Sequence, residues 1–340
     1  MNRVKQIICV EPNRFEMTDV ALPNTKPGEA LIRVQRIGIC GTDIHAFLGN
    51  QPYFTYPRVL GHELSGTVEA LHDSDGGIRV GDQVSVIPYL HCGKCVACRA
   101  GKTNCCTEMR VIGVHVDGGM GEYICVPTTH LVRTNGLSLE QSVVLEPLSI
   151  GAHAVRRSGI RNGDSVLVVG AGPIGLGVMA FAKRRGARVI AMDVNEERLT
   201  SCRTWANVDD TVDARNPPEE ELARLTSGNF PAVVLDATGN AGSMSASVQY
   251  VAHGGTLVYV GLVKGDVCFS DPEFHKRELT LMGSRNATIE DFAEVKNAVE
   301  EGVVDVKGYV THHIDFDHLV GGFNDLIKPE TKVIKAVVEL

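Results

Sequence analysis

Ser165-Val166-Leu167-Val168-Val169-Gly170-Ala171-Gly172-Pro173-Ile174-Gly175 is the stretch on which the reading of the fold turns. Ser165 to Val169 has the branched, apolar character of a buried strand. It runs into G-x-G-x-x-G, and residues 174–185 then follow a helical pattern. The first glycine permits a tight turn, the second lets the backbone approach a pyrophosphate, and the third lets helix and strand pack closely. Free N–H groups at the helix start favour the phosphates. The next strand, Arg188 to Met192, leads into Asp193, 18 residues after Gly175. An acid there accepts hydrogen bonds from an adenosine ribose and repels a 2′-phosphate. Val194 and Asn195 are not basic, so NAD is expected over NADP. Gly170, Gly172, Pro173, Ile174, Gly175 and Asp193 form the expected cofactor contact. Arg198, one turn into the next helix, either reaches the same ribose or is a solvated surface charge.

Working outward, helix 195–205 and strands 232–235 and 256–260 continue a strand–helix alternation. Such alternation implies βαβ units and a doubly wound parallel sheet. Residues 1 to about 150 read differently, with short β patterns (30–37, 64–70, 83–86) and glycine turns. Residues 290–340 hold one clear helical segment beginning near Ile289 and a β-rich tail over 332–339. That segment is too short for a domain and is expected to pack on the first region. The expected fold is therefore a β-rich domain, 1–150 plus 290–340, interrupted by an α/β dinucleotide-binding domain, 151–289.

The chain has 340 residues, of which 44% are hydrophobic and 22% charged, an ordinary globular mix. Its net charge of −8 gives no electrostatic footprint for nucleic acid. No apolar run is long enough to span a membrane and no signal pattern appears, so a cytoplasmic location is expected. Ten cysteines are many for such a chain. A disulfide framework is out of place here, and clustered cysteines point to metal or chemistry.

Cys92, Cys95, Cys98 and Cys106 form C-x2-C-x2-C-x7-C. Four thiolates suit a closed tetrahedral zinc that holds a coreless lobe, 90–107, together. Cys105 competes with Cys106 for the fourth place, with Cys106 preferred, and an iron–sulfur cluster is the weaker alternative. A second set is dispersed. Cys40 lies in Gly38-Ile39-Cys40-Gly41-Thr42-Asp43-Ile44-His45, His62 and Glu63 follow Gly61, and Glu146 precedes Pro147. Each has a bland explanation on its own. Together, beside a dinucleotide site, one thiolate, one imidazole and a carboxylate match a catalytic zinc with an open fourth position. Two zinc ions per chain are thus expected. A site of this kind lowers the pKa of a bound alcohol. Thr42 can take the released proton and His45 can pass it to water, while Asp43 can orient His62.

These motifs resemble the zinc-containing medium-chain dehydrogenases over essentially the whole chain. The resemblance implies a GroES-like catalytic domain interrupted by a Rossmann domain. It also implies Thr42 and His45 as proton relay, and a homodimer or homotetramer. Glu146-Pro147 is similar to the polyol and sugar-acid branch, where the third protein contact to zinc comes from either glutamate, so Glu63 and Glu146 both stand as candidates. The stretches from Gly49 through Pro52, Tyr53 and Arg58 to Leu60, from Val111 to His115, from Phe269 to Lys276, and from Gly283 to Thr288 extend the likeness to sugar-acid dehydrogenases. An L-galactonate- or L-gulonate-like hexonate is the implied substrate. Its carboxylate calls for a cation. Arg58, Arg110 and Arg285 are candidates, each with a structural or cofactor-facing role as the stronger alternative; Arg285 is counted with the cofactor contacts. His115 either lines the pocket or bonds within its loop. Rival readings are a polyol or L-threonine-type dehydrogenase, and a non-catalytic NAD-binding regulatory protein. The intact set Cys40, Thr42, His45, His62, Glu63 and Glu146 weighs against the last.

Overall fold

The computed structural model describes residues 3–51, 54–73 and 77–340, so Pro52 and Tyr53 lie outside the described residues. The chain forms two compact units. One comprises residues 1–146, 288–302 and 309–340, and the other residues 147–287 and 303–308.

In the first unit, long antiparallel strands Glu29–Ile39 and Glu63–Leu71 form the spine of a seven-stranded sheet. Gln83–Val86 and Leu131–Arg133 extend it on one side, Ala336–Glu339 and His312–Asp315 on the other. Tyr123–Pro127 pairs with Glu29–Ile39 as well. The tail strand is shorter than its sequence pattern suggests: residues 332–335 precede it, with Lys332 in a left-handed turn. A hairpin, Arg3–Glu11 with Arg14–Ala21, completes the β elements of the N-terminal end.

An aromatic trio ties this unit together. Phe15 comes from the hairpin, Phe47 from helix Gly41–Phe47 and Phe323 from helix Leu319–Leu326. Their ring centroids are 4.8 to 4.9 Å apart, within the favourable range for aromatic pairs. Helix Gly41–Phe47 also carries Thr42 and His45, so the trio anchors the segment on which the expected relay sits.

The second unit is a six-stranded, all-parallel sheet. Its order is Asp210–Asp213, Arg188–Asp193, Ser165–Val169, Val233–Asp236, Thr256–Tyr259 and Thr280–Gly283. That is the doubly wound dinucleotide-binding order. Val166, Leu167 and Val168 are fully buried, as befits a central strand covered on both faces. Helix Leu145–Ser158, which begins with the glutamate–proline pair, and edge strand Thr280–Gly283 are among the elements without a clear sequence pattern.

Phe323 is fully buried, and its removal leaves a cavity between three elements. Phe323→Ala is expected to cost about 3–5 kcal/mol, read as a lowered urea midpoint. An unchanged midpoint would show that the trio is not holding the helix.

Candidate active site

The reactive set is built from loop ends. Cys40 caps the N-terminus of helix Gly41–Phe47, directly after strand Glu29–Ile39. Asp43 in the first turn of that helix is 1% exposed. Its Oδ2 accepts from the Cys40 N–H at 2.9 Å and its Oδ1 from the Gly61 N–H at 3.2 Å. One carboxylate thus fastens the Cys40 turn to the loop that presents His62. Asp43 Oδ1 lies 3.6 Å from His62 Nδ1, close enough to act through charge but beyond hydrogen-bond reach. The expected Asp43–His62 relation is therefore electrostatic, and the hydrogen bonds go to backbone.

Glu63 opens strand Glu63–Leu71 opposite Gly38. A Cβ at Gly38 would lie 1.9 Å from Glu63 Oε2, so only glycine leaves space for this carboxylate. Ligand atoms of Cys40, His62 and Glu63 lie within 4.8 Å of one another. Glu146 is not within that trio. It sits at the start of helix Leu145–Ser158, 4% exposed, and accepts a short hydrogen bond from the Tyr89 hydroxyl.

Three residues of this pocket carried no sequence signal. Lys335, 1% exposed, reaches in from just before the tail strand. Its ammonium pairs with Glu63 Oε2 and donates to the Ile39 carbonyl at 3.0 Å. Tyr89 and Tyr309 are buried, and both phenols are held well above their usual pKa. Burial is the main cause, and the charges of Glu146, Cys40 and Glu63 add to it. A lone lysine near the end of a β-rich tail looks like any surface cation until the strand pairing is known. The tyrosines look like ordinary core residues.

Several acidic groups crowd this pocket and perturb one another. Burial pushes Glu146 up to about 7, with His62 opposing and Glu63 adding to the shift. Burial alone would lower the His62 pKa, yet Asp43, Cys40 and Glu146 together raise it well above its ordinary value. Buried His62 Nδ1 and Glu63 Oε1 lack hydrogen-bond partners. Buried polar atoms without partners are costly. A thiolate, an imidazole and carboxylates are the donor set that zinc takes, so the residues fit a divalent zinc ion.

Thr42 and His45 stand three residues apart on helix Gly41–Phe47, hence on one face. Thr42 is half-buried and His45 exposed, which suits a path from pocket to solvent.

The four-cysteine lobe also converges. The sulfurs of Cys92, Cys95, Cys98 and Cys106 lie within 4.8 Å of one another, and those of Cys95 and Cys106 are 3.9 Å apart. Zinc–thiolate bonds of about 2.3 Å would set tetrahedral sulfurs roughly 3.8 Å apart. Backbone N–H groups of Cys92 and Glu108 point at the Cys106 sulfur, and that of Cys98 at the Cys95 sulfur. Such donors stabilise thiolates; the Cys98 amide first, then Thr107, bring Cys95 down to about 5. Cys105 is exposed and outside the group.

In the second unit, Gly172 caps helix Pro173–Arg184, with Pro173 in its first turn and Ile174 next. Gly170 has φ +94°, and a Cβ at Gly175 would lie 1.8 Å from the Gly170 carbonyl oxygen, so residues 170–175 form the tight turn their spacing predicts. Asp193 ends strand Arg188–Asp193 and is 8% exposed. Its Oδ2 accepts from the Ala171 N–H at 2.7 Å and its Oδ1 from the Asn195 N–H at 2.8 Å. The acid therefore also braces the glycine turn. Arg198 is exposed in the first turn of helix Glu196–Thr204, and Arg285 is exposed just beyond Thr280–Gly283. Among the candidate cations for a substrate carboxylate, Arg58 is held by Asp117 at 3.2 Å and Thr55 at 3.1 Å, and Arg110 is exposed. His115 Nδ1 accepts from the Val111 N–H at 3.0 Å, its loop-bonding alternative.

Two family models match. Residues 26–136 match the alcohol dehydrogenase GroES-like domain and residues 173–301 the zinc-binding dehydrogenase domain. The chain is 43% identical over 338 residues to L-galactonate-5-dehydrogenase of Escherichia coli K12, with 99% of each chain covered. It belongs to the zinc-type medium-chain alcohol dehydrogenases. As a member of this family the enzyme is an oxidoreductase acting on CH–OH groups. Among solved structures, an alcohol dehydrogenase (rspB) of Escherichia coli CFT073 complexed with NADH superposes with TM-score 0.94 at 28% identity, covering 100% of both chains. A protein of Sinorhizobium meliloti 1021 bound to NADP superposes with TM-score 0.91 at 27% identity, again over 100% of both.

Metal analysis separates the two centres of this dehydrogenase. We expect two zinc ions per chain by elemental analysis. Cys40→Ala should retain one zinc and the fold while turnover is lost. Cys95→Ser should instead lower the melting temperature. Full activity in Cys40→Ala would rule out the reactive role of the first set.

Proposed function

We propose that this chain is a zinc- and NAD-dependent dehydrogenase of sugar acids, oxidising a secondary alcohol of an L-galactonate- or L-gulonate-like hexonate or reducing the corresponding ketone. The observation that carries the reading is the convergence of half-buried Cys40 with buried His62 and Glu63, with Glu146 beside them, on a chain similar to L-galactonate-5-dehydrogenase over its full length.

When bound, zinc supplies Lewis-acid polarisation of the substrate hydroxyl, and NAD supplies the acceptor for its hydride. Cys40, His62 and one of the two glutamates would hold the metal. Asp43 ties the Cys40 and Gly61 backbones together, and Gly61 precedes His62. Thr42 takes the hydroxyl proton and His45, an imidazole that can both accept and donate a proton, delivers it to water. In reverse the same pair returns the proton. The turn at 170–175 would hold the pyrophosphate of the cofactor, and Asp193 its ribose hydroxyls. The negative charge of Asp193 supports NAD over NADP. Arg198 and Arg285 are assigned to the outer cofactor contacts.

We also propose a homodimer or homotetramer in the cytoplasm, with no nucleic-acid or membrane partner. Among the described residues, no helix is long and apolar enough to cross a membrane. The parallel sheet has two unlike edges. Asp210–Asp213 carries an aspartate at each end, which discourages pairing, whereas Thr280–Gly283 is uncharged, with Leu281 38% exposed. A second copy adding across Thr280–Gly283 covers that edge.

Two experiments test the proposal. In a screen of zinc-loaded enzyme with NAD and NADP against hexonates, polyols and L-threonine, NADH formation is expected with a hexonate and much less with NADP. No turnover of any hexonate, or a polyol or threonine as the best substrate, would remove the sugar-acid assignment. Leu281→Lys should shift the light-scattering mass toward the monomer, and an unchanged mass would place the interface elsewhere.

A further inference from the structure

We propose that Tyr89 is the positioning residue for Glu146 in the reactive pocket, presented there by the strand pair that closes the cysteine lobe. The inference rests on the reading that Glu146 contacts the reactive metal.

Tyr89 is 5% exposed, and its hydroxyl donates to Glu146 Oε1. It belongs to the two-residue strand Tyr89–Leu90, which pairs antiparallel with Arg110–Val111. Cys92 follows three residues after Tyr89, and Cys106 stands four residues before Arg110. The lobe is thus a loop hung between two short strands, and the first of them carries Tyr89. Two paired residues are too few to hold themselves in place. Convergence of the four sulfurs clamps the ends of the loop and so sets where the Tyr89 ring lies.

The two carboxylates of the pocket are held in different ways. Glu63 faces the Lys335 ammonium, which answers its charge. Glu146 receives a phenol, a neutral donor that fixes one oxygen in space and adds no positive charge. His62 and Lys335 act on Glu146 through charge, while the phenol sets the direction of its Oε1. The Tyr89 ring also packs edge-on against Phe292, with centroids 6.4 Å apart, so a phenylalanine at this position keeps the packing and loses only the hydroxyl.

The test uses the full chain loaded with zinc or cobalt. In Tyr89→Phe, chelator competition should show the reactive site's affinity reduced about 10–100-fold, the range seen when a group orienting a metal ligand is removed. The cobalt absorption of the mixed thiolate–nitrogen–oxygen site should shift, while that of the four-thiolate site stays in place. Wild-type affinity together with unshifted bands in Tyr89→Phe would overturn the proposal. Glu146→Gln is the companion. If it weakens the reactive site and Tyr89→Phe does not, Tyr89 has no positioning role and the zinc reading stands. If Glu146→Gln holds metal like the parent, Glu146 is not a metal contact, and the proposal falls with that part of the reading.

Discussion

Negative charge concentrated in a buried pocket is the constraint around which the first unit is organised. Asp43, Glu63 and Glu146 are each less than 5% exposed, with the Cys40 thiol beside them. Removing an ion from water costs several kcal/mol even after relaxation, and like charges in one pocket add repulsion. The structure meets this with separate devices. Asp43 is answered by two backbone N–H groups, Glu63 by a buried lysine and Glu146 by a phenol. What these devices leave without hydrogen-bond partners are His62 Nδ1 and Glu63 Oε1, in a donor set that a divalent zinc ion takes.

The surrounding architecture supplies these answers from distant parts of the chain. Strand Ala336–Glu339 lies antiparallel to Glu29–Ile39, which places Lys335 beside Ile39 and Glu63 although about 270 residues separate the paired side chains in sequence. Gly38, on the same long strand, leaves the space that the Glu63 carboxylate fills. Burial of the Lys335 ammonium opposes its charged form, and the anions of Glu63 and Cys40 more than offset this, raising its pKa. Sheet register, rather than local sequence, decides which cation enters the pocket.

Much of the site was legible because its chemistry is tied to short motifs. G-x-G-x-x-G after a branched strand predicts both the turn and the helix cap, and C-x2-C-x2-C-x7-C predicts the clustered sulfurs. Cys40, His62 and Glu63 were readable because they fall in two short glycine-containing stretches and together supply one thiolate, one imidazole and one carboxylate, a donor set that zinc takes. Lys335, Tyr89 and Tyr309 were not readable, since each acts through a long-range pairing that leaves no local pattern. Among elements, helix Leu145–Ser158 was missed because a glutamate–proline pair at its start reads as a loop, although proline is well tolerated in a first helical turn. Edge strand Thr280–Gly283 is short and half exposed, without the alternation of a strand buried on one face.

Asp193 has a consequence for anyone wishing to retool the enzyme's coenzyme use. Its two oxygens already hold the Ala171 and Asn195 amides, so the side chain is a girder of the 170–175 turn, besides the role proposed for it against an extra phosphate. Under that proposal, swapping it for a small neutral residue would admit the bulkier dinucleotide and, in the same stroke, loosen the cradle meant to receive it. A successful redesign must therefore bring a replacement acceptor for those amides along with any new cation, which makes a multi-residue graft of the strand end a sounder starting point than a point change.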